Sequence, residues 1–234
     1  MHIRVGTSGY NYAEWKGTFY PEKMPASKMF AYYAERFQTV EINYTFYRMP
    51  TTRIAEGWRA QAPDGFTYTL KAPKRITHDR RLVDCAEPLG QFVEAARALE
   101  EHLGCLLFQL PPNCRADAAR LDAFLTLVPK DLRVAFEFRH ESWHAADVLT
   151  VLRSHNAALC IADFGDRTTP LEATAGHGYL RLRDEGYQPE DLARWAATVR
   201  GLDGRWTDAY VYFKHEDEGK GPEFARAFEE LLES

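Results

Sequence analysis

Apolar residues gather along this chain in eight short runs, most of which stop at a charged or amide-bearing side chain. The runs are IRVGTS from Ile3, TVEIN from Thr39, TYTLK from Thr67, CLLFQL from Cys105, RVAFEFR from Arg133, ALCIAD from Ala158, YLRLR from Tyr179 and AYVYFK from Ala209. Their length and their β-branched and aromatic content predict strands, and most of the stretches between them carry the spacing of amphipathic helices. Helices are expected from Ala26 or Ser27 to Phe37, from Thr51 or Thr52 to before Pro63, and from Pro88 to Leu103 with Gly104 at the end. Further ones are expected at Ala118 to Leu127, Ser142 to His155, Pro189 to Val199 and Pro222 to Leu232, whereas DFGDRTTPLEATAGHG after the sixth run reads as loop. Strand followed by helix through eight repeats predicts an α/β fold, a (β/α)8 TIM-type barrel forming a single domain over residues 1–234.

In such a barrel the strand ends carry the chemistry, so the facing of each strand decides which residues are candidates. Side chains alternate along a strand, and the more apolar set should face the helices. That leaves Thr39, Glu41 and Asn43 inside from the second run, and Thr67, Thr69 and Lys71 from the third. Gln109 follows from the fourth, Arg133, Ala135, Glu137 and Arg139 from the fifth, and Asp163 from the sixth. The last two runs add Tyr179, Arg181 and Arg183, then Tyr210, Tyr212 and Lys214. Buried charges must be paired or open onto a ligand. Pairing is expected between Glu41 and Lys71, and between Glu137 and Arg139 or an arginine of the seventh run. Arg4 and Arg133, lower in the barrel, are expected to be structural.

Loops supply further candidates. GYNYAEWKGTFYP after the first run sets Tyr10, Tyr12, Trp15, Phe19 and Tyr20 close together, a platform for a sugar or base or a lid packed on itself. KAPKRITHDRR after the third holds Lys71, Lys74, Arg75, Arg80 and Arg81 against Asp79, which suggests an anion-binding lid. His140 is placed to act as acid or base or as a hydrogen-bonded structural group, and Trp143 to roof the site.

Composition adds limits. A mixture of 45% hydrophobic and 27% charged residues is ordinary for a globular domain, and no apolar run nears the roughly 20 residues of a membrane helix. Strand-like sequence from Ile3 is too early for a signal peptide, so a cytoplasmic protein is expected. Cys85, Cys105, Cys114 and Cys160 lack metal spacing and read as core thiols. A net charge of −5 argues against bulk attachment to nucleic acid, though not against a local basic pocket. Serine-hydrolase elbows, HExxH and phosphate-binding glycine loops are absent from the sequence.

GTSGY at Gly6 to Tyr10, Tyr20-Pro21, TVEINYTFYRMP at Thr39 to Pro50, FTYTLKAP at Phe66 to Pro73, FQLPP at Phe108 to Pro112, FEFRHESW at Phe136 to Trp143 and YVYFKH at Tyr210 to His215 carry a family resemblance. Together they resemble the YecE-like family, the domain of unknown function 72, over essentially the whole length. The resemblance implies a TIM-type barrel and no particular reaction. Two positions depart from the family pattern: Lys214-His215 replaces an asparagine pair, and RDEG at Arg183 to Gly186 replaces a His-Gly.

These observations point to an enzyme acting on a small anionic substrate, a phosphorylated or carboxylated sugar or nucleotide fragment. Glu137 is the expected general acid/base, Glu41 the second carboxylate, and Lys71, Arg139, Arg181 and Lys214 the groups that stabilise charge. Asn43 and Gln109 would orient hydroxyls, and an imine at Lys71 or Lys214 is a subsidiary mechanism. Alternatives are a binding barrel for a nucleic-acid end or metabolite, and a metal-dependent phosphoesterase or isomerase. No cofactor is expected; a divalent ion held by Glu41, Glu137, Asp163, His140 and His215 is the alternative, against which the interleaved lysines and arginines compete.

Overall fold

In the computed structural model, which describes residues 1–165, 167–215 and 219–233, every apolar run is a strand. They are β1 His2–Ser8, β2 Thr39–Ile42, β3 Thr67–Lys71, β4 Leu103–Leu110, β5 Val134–Phe138, β6 Ala158–Asp163, β7 His177–Leu182 and β8 Asp208–Phe213. All pair in parallel in chain order, and β8 closes on β1 from His2 opposite Asp208 to Thr7 opposite Phe213. The helices are α1 Ala26–Ala34, α2 Tyr44–Tyr47, α3 Thr52–Arg59, α4 Ala86–Arg97, α5 Ala118–Leu127, α6 Ala146–Ser154, α7 Pro189–Arg200 and α8 Lys220–Glu233. Among the described residues no helix joins β6 to β7, as the sequence of that segment suggested.

Two apolar layers result from the alternation. Val40, Leu70, Phe108, Phe136, Leu180 and Val211 belong to the cluster that the strands share with the helices, and Cys105, Leu107, Ala135, Cys160, Tyr179, Tyr210 and Tyr212 fill the barrel. The Tyr212 hydroxyl bonds Thr39 and Thr69 at 2.7 and 2.8 Å, which satisfies a polar group that burial would otherwise penalise. At the N-terminal end Asp208 accepts from Arg4 at 2.7 Å and Arg133 at 3.1 Å, the structural pairing expected of those arginines.

Helix ends depart from expectation in several places: α1 stops at Ala34 rather than Phe37, and the stretch from Ser142 begins as a 3-10 turn, Glu141–His144, before α6 starts at Ala146. The third long helix stops at Arg97 rather than Leu103, because the chain passes through a left-handed residue, Glu100, with φ 51°. Gly104 therefore caps no helix. It lies inside β4, where a Cβ would stand 3.0 Å from a ring carbon of Tyr210.

Candidate active site

Arg181 organises the C-terminal end of the barrel. From β7 its guanidinium reaches Glu137 of β5 at 2.5 Å, Glu41 of β2 at 2.8 Å and the Ser8 hydroxyl of β1 at 3.2 Å. Glu41 also accepts from Ser8 and from Tyr179, the latter at 2.5 Å. Arg181, Glu41 and Glu137 are fully buried. Burial is the largest single influence and raises both carboxyls, but Arg181 together with Ser8, Tyr179 and Lys71 at Glu41, and with Arg139, Gln109 and Lys71 at Glu137, outweighs it; both are held below the usual carboxylate range. Gln109 stands opposite Glu137 in register and favours its ionised form, although its Nε2 is short of hydrogen-bond geometry.

Above this plane the groups are cationic. Arg139 donates to Glu137 at 3.2 Å, and Arg183 stands 4.0 Å from the same oxygen. Both guanidiniums lie over the Phe164 ring, at 5.8 and 4.8 Å from its centroid. Lys71, 8% exposed, places its ammonium 4.3 Å over the ring of Phe46 and forms no ion pair among the described residues. Burial lowers it to about 8, and neighbouring Arg181 adds to this against the pull of Glu41 and Glu137. Among the described residues, two carboxylates thus face four cations, a local excess of positive charge in a chain of net charge −5.

His78 joins this group from a π-helical turn at Arg75–Asp79. Its ring meets Phe46 edge to face at 4.9 Å, and its Nδ1 bonds the Thr77 hydroxyl at 2.9 Å. Burial and then the Lys71 and Arg139 cations lower its pKa, so the ring is neutral at physiological pH. The sequence reading missed His78, Phe46 and Phe164. A histidine amid the KAPKRITHDRR charges was the available signal; the single turn that directs it to the mouth was not visible in the pattern.

Several expected positions are corrected. Glu41 and Lys71 are not paired, since Arg181 and Ser8 take the carboxylate. Asp163 does not point into the barrel: with Leu159 and Ile161 it faces the helices, accepting from Tyr187 at 3.0 Å and Trp195 at 2.9 Å. Trp143 is no roof, being fully buried, stacked on Phe138 at 4.6 Å and bonded through Nε1 to the Cys114 carbonyl at 2.7 Å. Trp15 is equally buried among Tyr12, Phe19 and Tyr20, so it offers no stacking face. In the basic loop Arg75 pairs with Glu87 at 3.5 Å and Arg80 bonds the Asp84 carbonyl, so neither closes over the mouth.

Other candidates lie at the rim. Asn43 donates to Ser8 at 2.8 Å and leaves a buried Oδ1 without a donor. With Tyr10, Tyr12, Tyr44 and Trp58 it lines a cleft of about 370 Å³ beside the mouth. His140 accepts from the Ser142 amide at 3.2 Å. Lys214 lies just beyond β8, its amide donating to the Leu182 carbonyl at 3.0 Å. The two departures from the family pattern meet here, His215 Nε2 donating to the Asp184 carbonyl at 2.7 Å. Asp163, His140 and His215 are thus engaged apart from Glu41 and Glu137, and among the described residues no three His, Cys, Asp or Glu side chains are grouped to hold a metal ion.

Comparison with known proteins agrees with the fold. YunF of Bacillus subtilis strain 168, a UPF0759 protein, is 22% identical over 270 residues, covering 99% of this chain and 95% of its own. A solved DUF72 family protein from Thermotoga maritima MSB8 covers both chains completely, with 26% identity and a TM-score of 0.85. PbGH5A of Prevotella bryantii B14, a glycoside hydrolase family 5 enzyme, shares the barrel alone, with 11% identity and a TM-score of 0.54 over 98% of this chain and 95% of its own. Residues 4–234 match the family described as protein of unknown function DUF72, and the chain belongs to that family.

Proposed function

We propose that the barrel mouth is the site of an enzyme that binds a small anionic molecule, phosphorylated or carboxylated and sugar- or nucleotide-like, and acts on it by acid/base and electrostatic catalysis. The carrying observation is the excess of cations among the described residues: Glu41 and Glu137 are already held by Arg181, Arg139 and Arg183 share the remaining oxygen of Glu137, and Lys71 has no ion-pair partner. An anion among them restores the charge balance of a partly desolvated site, where electrostatic attraction is stronger than in water. Glu41 and Glu137 then serve as the fixed counter-charges of Arg181, while Lys71 and His78, with pKa values lowered towards neutrality or below, move protons. Asn43 Oδ1 and Gln109 Nε2, both buried without partners among the described residues, are available to hydroxyls of the ligand.

Glycoside hydrolysis, the chemistry of the distant barrel neighbour, asks for one carboxyl kept protonated as the acid. The mouth supplies the opposite, two carboxyls held ionised by one guanidinium. Sulfate or phosphate titration, read by the melting temperature, tests the reading. Either ion should raise the wild-type melting temperature, the rise should vanish in the double variant Arg139→Ala, Arg183→Ala, and it should persist in the triple variant Arg75→Ala, Arg80→Ala, Arg81→Ala. Equal responses from the wild type and the double variant overturn it.

A further inference from the structure

We propose that Lys71 is a nucleophile that forms a covalent imine with the carbonyl group of an anionic aldehyde or ketone held by Arg139 and Arg183. The inference rests on the reading of the mouth as an anion site and names the chemistry within it. Lys71 closes β3 at the level where the ligand would sit. Its ammonium makes neither a hydrogen bond nor an ion pair among the described residues and rests on the Phe46 ring, so no carboxylate or carbonyl holds the nitrogen. The other inward cation at this depth, Arg181, is spent on two carboxylates and a hydroxyl. Across the mouth Arg139 and Arg183 flank Phe164 and supply donors to a carboxylate or phosphate.

An amine must be free of its proton to attack. Burial and Arg181 bring Lys71 from 10.5 to about 8, which at neutral pH leaves on the order of a few hundred times more free amine than an ordinary lysine has. In the step itself the Nζ lone pair forms the C–N bond as the π pair of the carbonyl moves to oxygen. The new ammonium gives a proton to neutral His78, and the alkoxide takes one from solvent. His78 then protonates the hydroxyl, which leaves as water as the nitrogen lone pair forms the C=N bond. Amine, carbonyl and the one proton taken from solvent become protonated imine and water, His78 is returned neutral, and no oxidant or metal is consumed. The cationic imine can then draw electrons from a neighbouring C–H or C–C bond.

Reductive trapping tests this with the intact chain. The protein is incubated with sodium cyanoborohydride and either glyoxylate, an anionic aldehyde, or glycolaldehyde, a neutral one, and adducts are quantified at each of the eight lysines by peptide mass spectrometry. With glyoxylate at neutral pH, Lys71 should carry at least about tenfold more adduct than any other lysine, a margin below that set by its free-amine fraction. Denaturant should abolish the preference, and sulfate should suppress it. Equal enrichment at Lys71 with both aldehydes, unaffected by sulfate, would support the nucleophile and overturn the anion site. Stabilisation by sulfate without enrichment of Lys71 would overturn the nucleophile and leave the anion site standing.

Discussion

A single arginine holds two carboxylates at the mouth, and each partner of that group has a separable energetic role. Glu137→Gln keeps the shape but leaves Arg181 and Arg139 with one buried counter-charge fewer, so a loss of about 3–5 kcal/mol is expected from urea denaturation. An unchanged midpoint would mean that water or another group already balances Arg181. Lys71 acts in the opposite sense. Its folded pKa is depressed, so the cost of burying its charge is fully present below about 8 and is relieved as pH rises from there to 10.5. Lys71→Met should therefore stabilise the protein by about 1–3 kcal/mol at neutral pH, with the gain shrinking across that window; a gain independent of pH would assign it to packing. Period two predicted the inward facing of Glu41, Lys71, Glu137 and Arg181 because one face of those strands is polar. It failed at Asp163 because both faces of ALCIAD are apolar. Side-chain size carried the answer there: small Ala158, Cys160 and Ala162 face in, and large Leu159 and Ile161 share the Asp163 face.

Among elements, the crossover after β6 gathers several of its contacts on one residue. With no helix among its described residues, the segment is tied in part through Asp163, which accepts from the Gly165 amide and the Thr168 hydroxyl at 3.1 Å each and reaches Tyr187 and Trp195 of the next crossover. Asp163→Asn loses the charge from this hub, and a cost of about 1.5–3 kcal/mol is expected in denaturant melts, with the response to sulfate unchanged. Loss of the sulfate response would return Asp163 to the site. Loop aromatics were the least legible part of the sequence. Trp15 and Trp143 stand where a ligand platform could be, but nothing in spacing distinguishes a ring facing the ligand from one folded beneath its own loop. The same holds for the turn that presents His78, since Arg75 and Arg80 differ from it in direction and not in pattern.

At the scale of the molecule the barrel was legible almost completely, because its order depends on eight recurrences of one signal and survives an error in any one. The site depends on contacts among β1, β2, β5 and β7, which no local pattern records. Those contacts also limit what the barrel can admit. Arg181 joins three other strands across the interior, and below it Tyr179, Tyr210 and Tyr212 fill the space. Nothing entering from the mouth can sink past that level, so the base of the chamber is fixed while its walls are made by the loops. Exchanging or resizing those loops should change which molecule fits without disturbing the base, which makes this barrel a scaffold on which selectivity and stability can be altered separately.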